Sequence, residues 1–300
     1  MKQVVSVSIG SSKRNHEATF EIMDEEFLIK RIGTDGDIDK AIEIIKSLDG
    51  KVDAIGLGGI DFYLFSKSHR YIIQDSKKFF TATKQTPILD GSGLKNTLER
   101  RVIRQLQENN IVDFTTKKVM VVCGMDRFGM ADEIEKLTSD VVIGDVMFAL
   151  GIGIPLHSLN SLDKVAKVIG PIAMRLPFSV LYPTGKSQEK VVEKYGKYYH
   201  WADVIAGDFP TRRSSDLKDL MGKIIITNTT TKEDLEELKQ RGVELLVTTT
   251  PELNGRSFGT NVMESMLVAL SGKKHELTEA EYMALLEKLN FQPRCLWLQK

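Results

Sequence analysis

The chain has 300 residues, 41 Lys+Arg against 41 Asp+Glu, two Cys and 42% apolar side chains. That length fits one large or two ordinary domains, with a core large enough to need no disulfide staples. The charge balance holds in both halves, with 17 basic and 17 acidic residues over 1–116 and 24 of each after it, which argues against a surface that tracks nucleic-acid phosphates. Cys123 and Cys295 are too few for a disulfide framework, and Met1-Lys2-Gln3-Val4 enters a strand pattern with no signal-like apolar region, so a cytoplasmic protein is expected. The longest uncharged run, 146–162, is too short and too interrupted by Gly, Pro and Asn to span a bilayer.

In chain order, Val4–Gly10 reads as a strand and Ala18–Ile32 as a hairpin turning at Asp24-Glu25-Glu26. Asp37–Leu48 carries a helical apolar face stopped by Gly50, and Val52–Gly59 is a short buried strand entering a glycine-rich turn. A lysine-rich helix or loop is expected around Lys77. Thr86–Gly93 then leads into a long helix from Leu94 to about Asn109. Val119–Cys123 is a nearly pure apolar run, as in a parallel strand covered on both faces. Further strands are predicted at Val141–Gly144, Phe178–Tyr182, Val204–Ala206, Ile224–Thr227 and Leu245–Thr248. Thr231 with Asp234, and Thr278 with Glu281, begin helices in capping-box style. Strands alternating with helices predict an α/β protein: an N-terminal α/β substrate domain over 1–110, a doubly wound, Rossmann-like parallel sheet over 111–272, and a C-terminal helix and tail over 273–300.

One stretch looks foreign. Phe209-Pro210-Thr211-Arg212-Arg213-Ser214-Ser215-Asp216-Leu217 is what one reading frame of a common short-read sequencing adapter encodes, so Arg212 and Arg213 are not read as a phosphate clamp. Thr184-Gly185-Lys186-Ser187 ends like a P-loop, but Val180 stands where the motif needs glycine. The five His and two Cys show no metal-ligand spacing.

Three constellations carry candidate chemistry. The turn Gly124-Met125-Asp126-Arg127-Phe128-Gly129 is where a doubly wound fold receives a cofactor pyrophosphate on free helix N–H groups. A tight packing turn without ligand is the other reading. Asp145, 21 residues after Gly124, is placed either to bond an adenosine ribose hydroxyl, favouring NAD over NADP, or to cap a helix. Asp90-Gly91-Ser92-Gly93, with Lys95 and Asn96 following and Lys77, Lys78 and Lys84 upstream, offers either a general base or a helix cap. The ends Asn228-Thr229-Thr230 and Thr248-Thr249-Thr250-Pro251 put small polar groups at the carboxyl edge of the sheet, where ligands bind in open α/β folds.

Together these pieces resemble the shikimate/quinate dehydrogenase family over roughly 86–272. Asp90-Gly91-Ser92-Gly93 looks like its Asn-Thr-Asp-Gly-x-Gly segment, Asn228-Thr229-Thr230 like its Asn-Ala-Thr, and Thr250-Pro251, Gly259 and Met266-Leu267-Val268 like its late proline loop and nicotinamide-side helix. The family's Gly-Ala-Gly-Gly turn is replaced by Gly124-Met125-Asp126-Arg127. Its catalytic-lysine segment is not recognisable, so Lys77 or Lys78 stands in for it, and its carboxylate-holding serines map to Ser6 and Ser8 or to Ser11 and Ser12. The resemblance implies an NAD(P)-dependent enzyme that moves a hydride to or from a quinate- or shikimate-like hydroxy acid, with Asp90 and Lys77 or Lys95 shuttling the proton. Gly124, Asp126, Arg127, Gly129, Asp145, Asn228, Thr229, Thr248, Thr249 and Met266 would hold the cofactor. A monomer or homodimer with a small-molecule partner, and without nucleic acid, membrane or metal, is expected. The competing reading is a non-enzymatic metabolite- or nucleotide-sensing protein on a degenerate Rossmann scaffold.

Overall fold

The computed structural model describes residues 1–67, 69–178, 195–207, 219–250, 252–253 and 256–299. Most of the predicted strand Phe178–Tyr182, the P-loop-like Thr184–Ser187, the foreign-looking Phe209–Leu217, and Pro251 lie outside these residues.

The first unit is a five-stranded sheet. It contains β1 (Lys2–Ser8), β2 (His16–Ile22), β3 (Glu25–Gly33), β4 (Ala54–Gly58) and, after a small hairpin of β5 (Tyr63–Phe65) and β6 (Arg70–Ile72), β7 (Ile88–Leu89). The spatial order is β2-β3-β1-β4-β7, parallel throughout except for the antiparallel edge strand β2. The β2–β3 turn falls at Met23-Asp24, both at positive φ (54° and 62°), one step earlier than the acidic triplet suggests. A two-residue turn of that hand matches the twist of the strands it joins. Helix α1 (Ile38–Leu48), capped by Asp37, and the short α2 (Lys77–Phe80) cover the outer face.

Helix α3 (Ser92–Glu108) leads into the second unit: β8 (Val119–Val121), α4 (Phe128–Leu137), β9 (Val141–Ile143), α5 (Asp145–Leu150), α6 (Leu159–Ala173), α7 (Gly196–Trp201), β10 (Val204–Ala206), β11 (Ile224–Thr227), α8 (Lys232–Gln240) and β12 (Leu245–Thr248). A short pair, β13 (Glu252–Leu253) and β14 (Arg256–Ser257), precedes α9 (Thr260–Ser271), α10 (Glu279–Lys288) and β15 (Arg294–Trp297). The second sheet runs β15-β12-β11-β10-β8-β9, with only β15 antiparallel. The α/β expectation with parallel sheets therefore holds. Among the described residues the parallel part of the second sheet reads 2-1-3-4-5. The parallel strands of the first sheet follow the same sense, β3-β1-β4-β7.

Successive side chains on a strand point to opposite faces, and β1 divides accordingly. Val5 and Val7 join Ile55, Leu57, Ala41 and Ile45 under α1. Val4 faces inward with Phe27, Ile29 and Leu89. That inner cluster continues through Leu94, Leu98 and Val102 of α3 and Val262 and Met266 of α9 to Val119, Val121 and Val141 of the second sheet. The two units thus share one apolar core, threaded by α3 and α9. Helix α9 follows the last parallel strand of the second unit, yet packs against β1 and β4 of the first. Beyond it, β15 closes the edge of the second sheet against β12.

Candidate functional site

The turn after β8 is held by the protein's own carboxylate. Asp145, at the start of α5, accepts the Gly124 amide at 2.6 Å and the Met125 amide at 2.9 Å. These are the N–H groups a pyrophosphate would need. Burial raises the Asp145 carboxyl above its usual range, although the two amide bonds oppose that shift. Cys123, whose Sγ lies 3.6 Å from Asp145, has its thiol pushed up by burial and then by that carboxylate, so it is not an activated nucleophile. Both glycines of the turn serve packing. A Cβ on Gly124 would stand 2.9 Å from Ile143 and 3.2 Å from Asp145, and a Cβ on Gly129 would lie 2.1 Å from the Asn96 carbonyl oxygen, where α4 crosses α3.

Asp126 and Arg127, the other turn residues, point into a buried ionic network. Lys95 on α3 reaches Asp126 at 2.6 Å and Asp61, beyond β4, at 2.9 Å. Arg127 is 1% exposed; it pairs with Glu99 of α3, donates to the Asn228 side chain after β11, and lies 3.2 Å from Asp126. Burial pushes Glu99 up to about 7 despite Arg127. Burial and the neighbouring Asp126 also raise Asp61, whereas Lys95 and Arg127 outweigh burial at Asp126 and hold it below the usual range. Two buried cations are thus neutralised within the protein. Nearby, Thr250 donates its hydroxyl to the Asn228 carbonyl at 2.9 Å, and the buried Thr248 hydroxyl turns back to the Thr250 carbonyl. Thr249 is fully buried and Thr229 partly so.

Asp90 lies just before α3, whose N-cap position is Gly91. Its carboxylate accepts from the Ser92 amide (3.1 Å) and hydroxyl (2.8 Å) and from the Phe62 amide (2.5 Å). The candidate lysines are not its partners: Lys77 is exposed on α2, Lys78 pairs with Asp75, and Lys95 is engaged as above. Glu264 of α9 completes the α3 terminus, accepting from the Gly91 amide (2.7 Å), the Leu94 amide (3.0 Å) and the Tyr282 hydroxyl (2.5 Å). Burial, then Asp90 and Glu276, push Glu264 well above the ordinary range. Gly91 sits at φ 96°, and a Cβ there would meet the Asn261 amide nitrogen at 2.6 Å, so glycine is required where α9 crosses. Of the serines, Ser6 accepts from the Asn261 side chain and Ser8 from Arg31 and the Gly10 amide, while Ser11 caps its own 3-10 turn.

Beside this cap lies a cleft of about 350 Å³, lined by Phe62, Tyr63, Phe80, residues 83–90, Glu264 and 274–276. Phe62 and Phe80 pack with ring centroids 4.0 Å apart. Arg70 lies 3.5 Å over the Tyr63 ring and binds both oxygens of Glu276. Lys84, Lys274 and His275 are exposed at the mouth. Sequence reasoning missed most of this cleft, although Glu264 is the one charge inside the apolar run 262–270. Met266 lies elsewhere, lining a separate apolar cavity.

The molecule is therefore a two-unit α/β protein whose buried Lys95 and Arg127 pair with its own carboxylates and which has an open polar cleft beside the start of α3. A family model described as "Domain of unknown function (DUF8754)" matches residues 93–298, and one described as "Domain of unknown function (DUF8753)" matches residues 3–90. The chain belongs to the first of these families, whose model covers more than half of it. No curated protein matches the chain. Among solved structures it is similar to GanP, a glucose-galactose binding protein from Geobacillus stearothermophilus, with TM-score 0.39, 10% identity, and coverage of 99% of this chain and 97% of that one. It is also similar to an ABC transporter solute binding protein from Agrobacterium vitis with bound D-fucose, with TM-score 0.37, 12% identity, and coverage of 99% and 95%. Likeness at that level assigns no ligand to this chain.

These findings overturn the shikimate/quinate dehydrogenase expectation and, with it, the oxidoreductase reading. The family that matches is a different one. The physical reason lies in the site. Asp145 holds the phosphate-turn amides, Glu99 and Asn228 hold Arg127, and Asp90 accepts from Ser92 and Phe62, so these residues expected to serve a dinucleotide or a proton relay are engaged within the protein.

Proposed function

We propose that this chain is a non-enzymatic binding protein for a small hydroxylated molecule, a sugar or a sugar acid, taken into the cleft beside Asp90. The observation that carries this reading is a cleft of about 350 Å³ in which aromatic rings and acceptor carboxylates line one space. That volume and mix of apolar wall with few polar groups suit a small ligand. The Phe80 ring offers apolar surface to the C–H face of a ring compound. The free lone pairs of Asp90 and Glu276 accept hydroxyl protons, and Lys84 and Lys274 at the mouth suit an acidic substituent.

Saturation-transfer NMR and calorimetry with D-galactose, D-arabinose and D-galacturonate test it. Binding of at least one is expected, and Phe80→Ala weakens it about tenfold. If galacturonate is preferred, Lys274→Glu removes the preference. Absence of binding to all three, or binding untouched by Phe80→Ala, contradicts the proposal.

A further inference from the structure

Asp61, which follows β4 of the first unit, and Asp126, which follows β8 of the second, meet at one ammonium. Lys95 of α3 lies 2.9 Å from Asp61 and 2.6 Å from Asp126, and the two carboxyls are within hydrogen-bond reach of each other. The Lys95, Asp61 and Asp126 side chains are 6%, 18% and 12% exposed, too little for water to solvate them as free ions. Arg127 lies 3.2 Å from Asp126 and also pairs with Glu99, while Asp90 adds negative charge on the Asp61 side. Two cations thus hold Asp126, whereas Asp61 shares Lys95 with it and faces two acids. Buried like charges this close disfavour each other's ionised form, and Asp61 is the member placed to keep a proton. The next residue carries the consequence. The Phe62 amide donates to Asp90 at 2.5 Å, the Phe62 ring packs on Phe80, and Phe62 with Tyr63 forms part of the wall of the polar cleft.

We propose that Asp61 and Asp126 hold one proton between the two units, and that its release to solvent loosens the Phe62–Tyr63 wall of the cleft. With the proton in place, the Asp61 hydroxyl donates to the Asp126 carboxylate and Lys95 binds both. Without it, the ionised Asp61, Asp126 and Asp90 face Lys95 and Arg127, of which Arg127 is shared with Glu99. Asp61 is then pushed away from Asp126 and draws on the backbone that carries the Phe62 amide. The wall is firm at mildly acidic pH and loosens as pH rises. The device works without ligand, so it stands whether or not the cleft takes a hydroxylated molecule.

Carbon-13 NMR of the whole chain labelled at its aspartate carboxyls, which leaves Glu99 silent, tests it. The Asp61 and Asp126 resonances, assigned through their backbones, move together through one titration between about pH 5 and pH 7.5. Over that range, protection of the Phe62 amide against hydrogen exchange, corrected for its intrinsic rate, falls about fivefold or more. Asp61→Asn, whose amide donates to Asp126 as the protonated acid does, removes the titration and keeps Phe62 protection constant within about twofold. Should Asp61→Asn fail to fold, the titration of the parent chain still decides. The proposal is overturned if neither aspartate titrates in that range, if the titration persists at Asp126 in Asp61→Asn, or if Phe62 protection in the parent does not change with pH.

Discussion

Asp145 and Glu99 show how a single carboxylate can replace a ligand. Asp145 satisfies two amides that a pyrophosphate would otherwise bind. Asp145→Ala leaves both buried donors unmet and should cost about 1–3 kcal/mol in chemical denaturation. Lys95 lies between Asp61 and Asp126; Lys95→Met strands those acids and should cost about 3–5 kcal/mol. Glu99 makes stability depend on pH. Its carboxyl titrates near 4.5 in the unfolded chain and at about 7 in the folded one. Between those values the folded protein keeps a proton that the unfolded chain has lost, so this group's contribution to stability falls as pH rises through that window. The difference is on the order of 1–3 kcal/mol. Denaturation midpoints measured at intervals from about pH 5 to pH 7.5 should fall less steeply for Glu99→Gln than for the parent. Identical slopes would refute the assignment.

At the scale of elements, the regular framework was legible and the crossings were not. Apolar runs and capping pairs located β10, β11, β12 and the starts of α8 and α10. The β5–β6 hairpin and β15 were missed because three- and four-residue strands carry too short an alternation to read. Gly124 and Gly129 were legible as a turn, but glycine permits close backbone approach to a helix as readily as to a phosphate, and only the Asn96 contact decides. Gly129→Ala should therefore loosen α3 against α4 and cost about 2 kcal/mol or more in thermal or chemical unfolding. A substitution that leaves stability unchanged would reopen the ligand reading of that turn. Asp90 had two sequence readings, and one of its contacts, the Phe62 amide, comes from a chain segment 28 residues away that neither reading named.

Across the whole molecule, α3 and α9 join two sheets through one apolar core. Interfaces of that kind resist relative motion of the units they join. The β5–β6 hairpin adds a clamp, with the Phe65 amide donating to the Met125 carbonyl at 2.9 Å and Ser66 donating to Asp163 at 2.8 Å. Unfolding should be a single cooperative transition by fluorescence and circular dichroism alike, and two resolved transitions would contradict the shared core. The net neutrality of the chain fits an arrangement in which buried charges are engaged in internal pairs and backbone contacts. The most direct test is a calorimetric comparison on one protein sample of NAD and NADP with D-galactose, D-arabinose and D-galacturonate. The structure predicts heat of binding for a hydroxylated ring compound, sensitive to Phe80→Ala, and none for either dinucleotide. Saturable binding of NAD or NADP, with none of any ring compound, would contradict it.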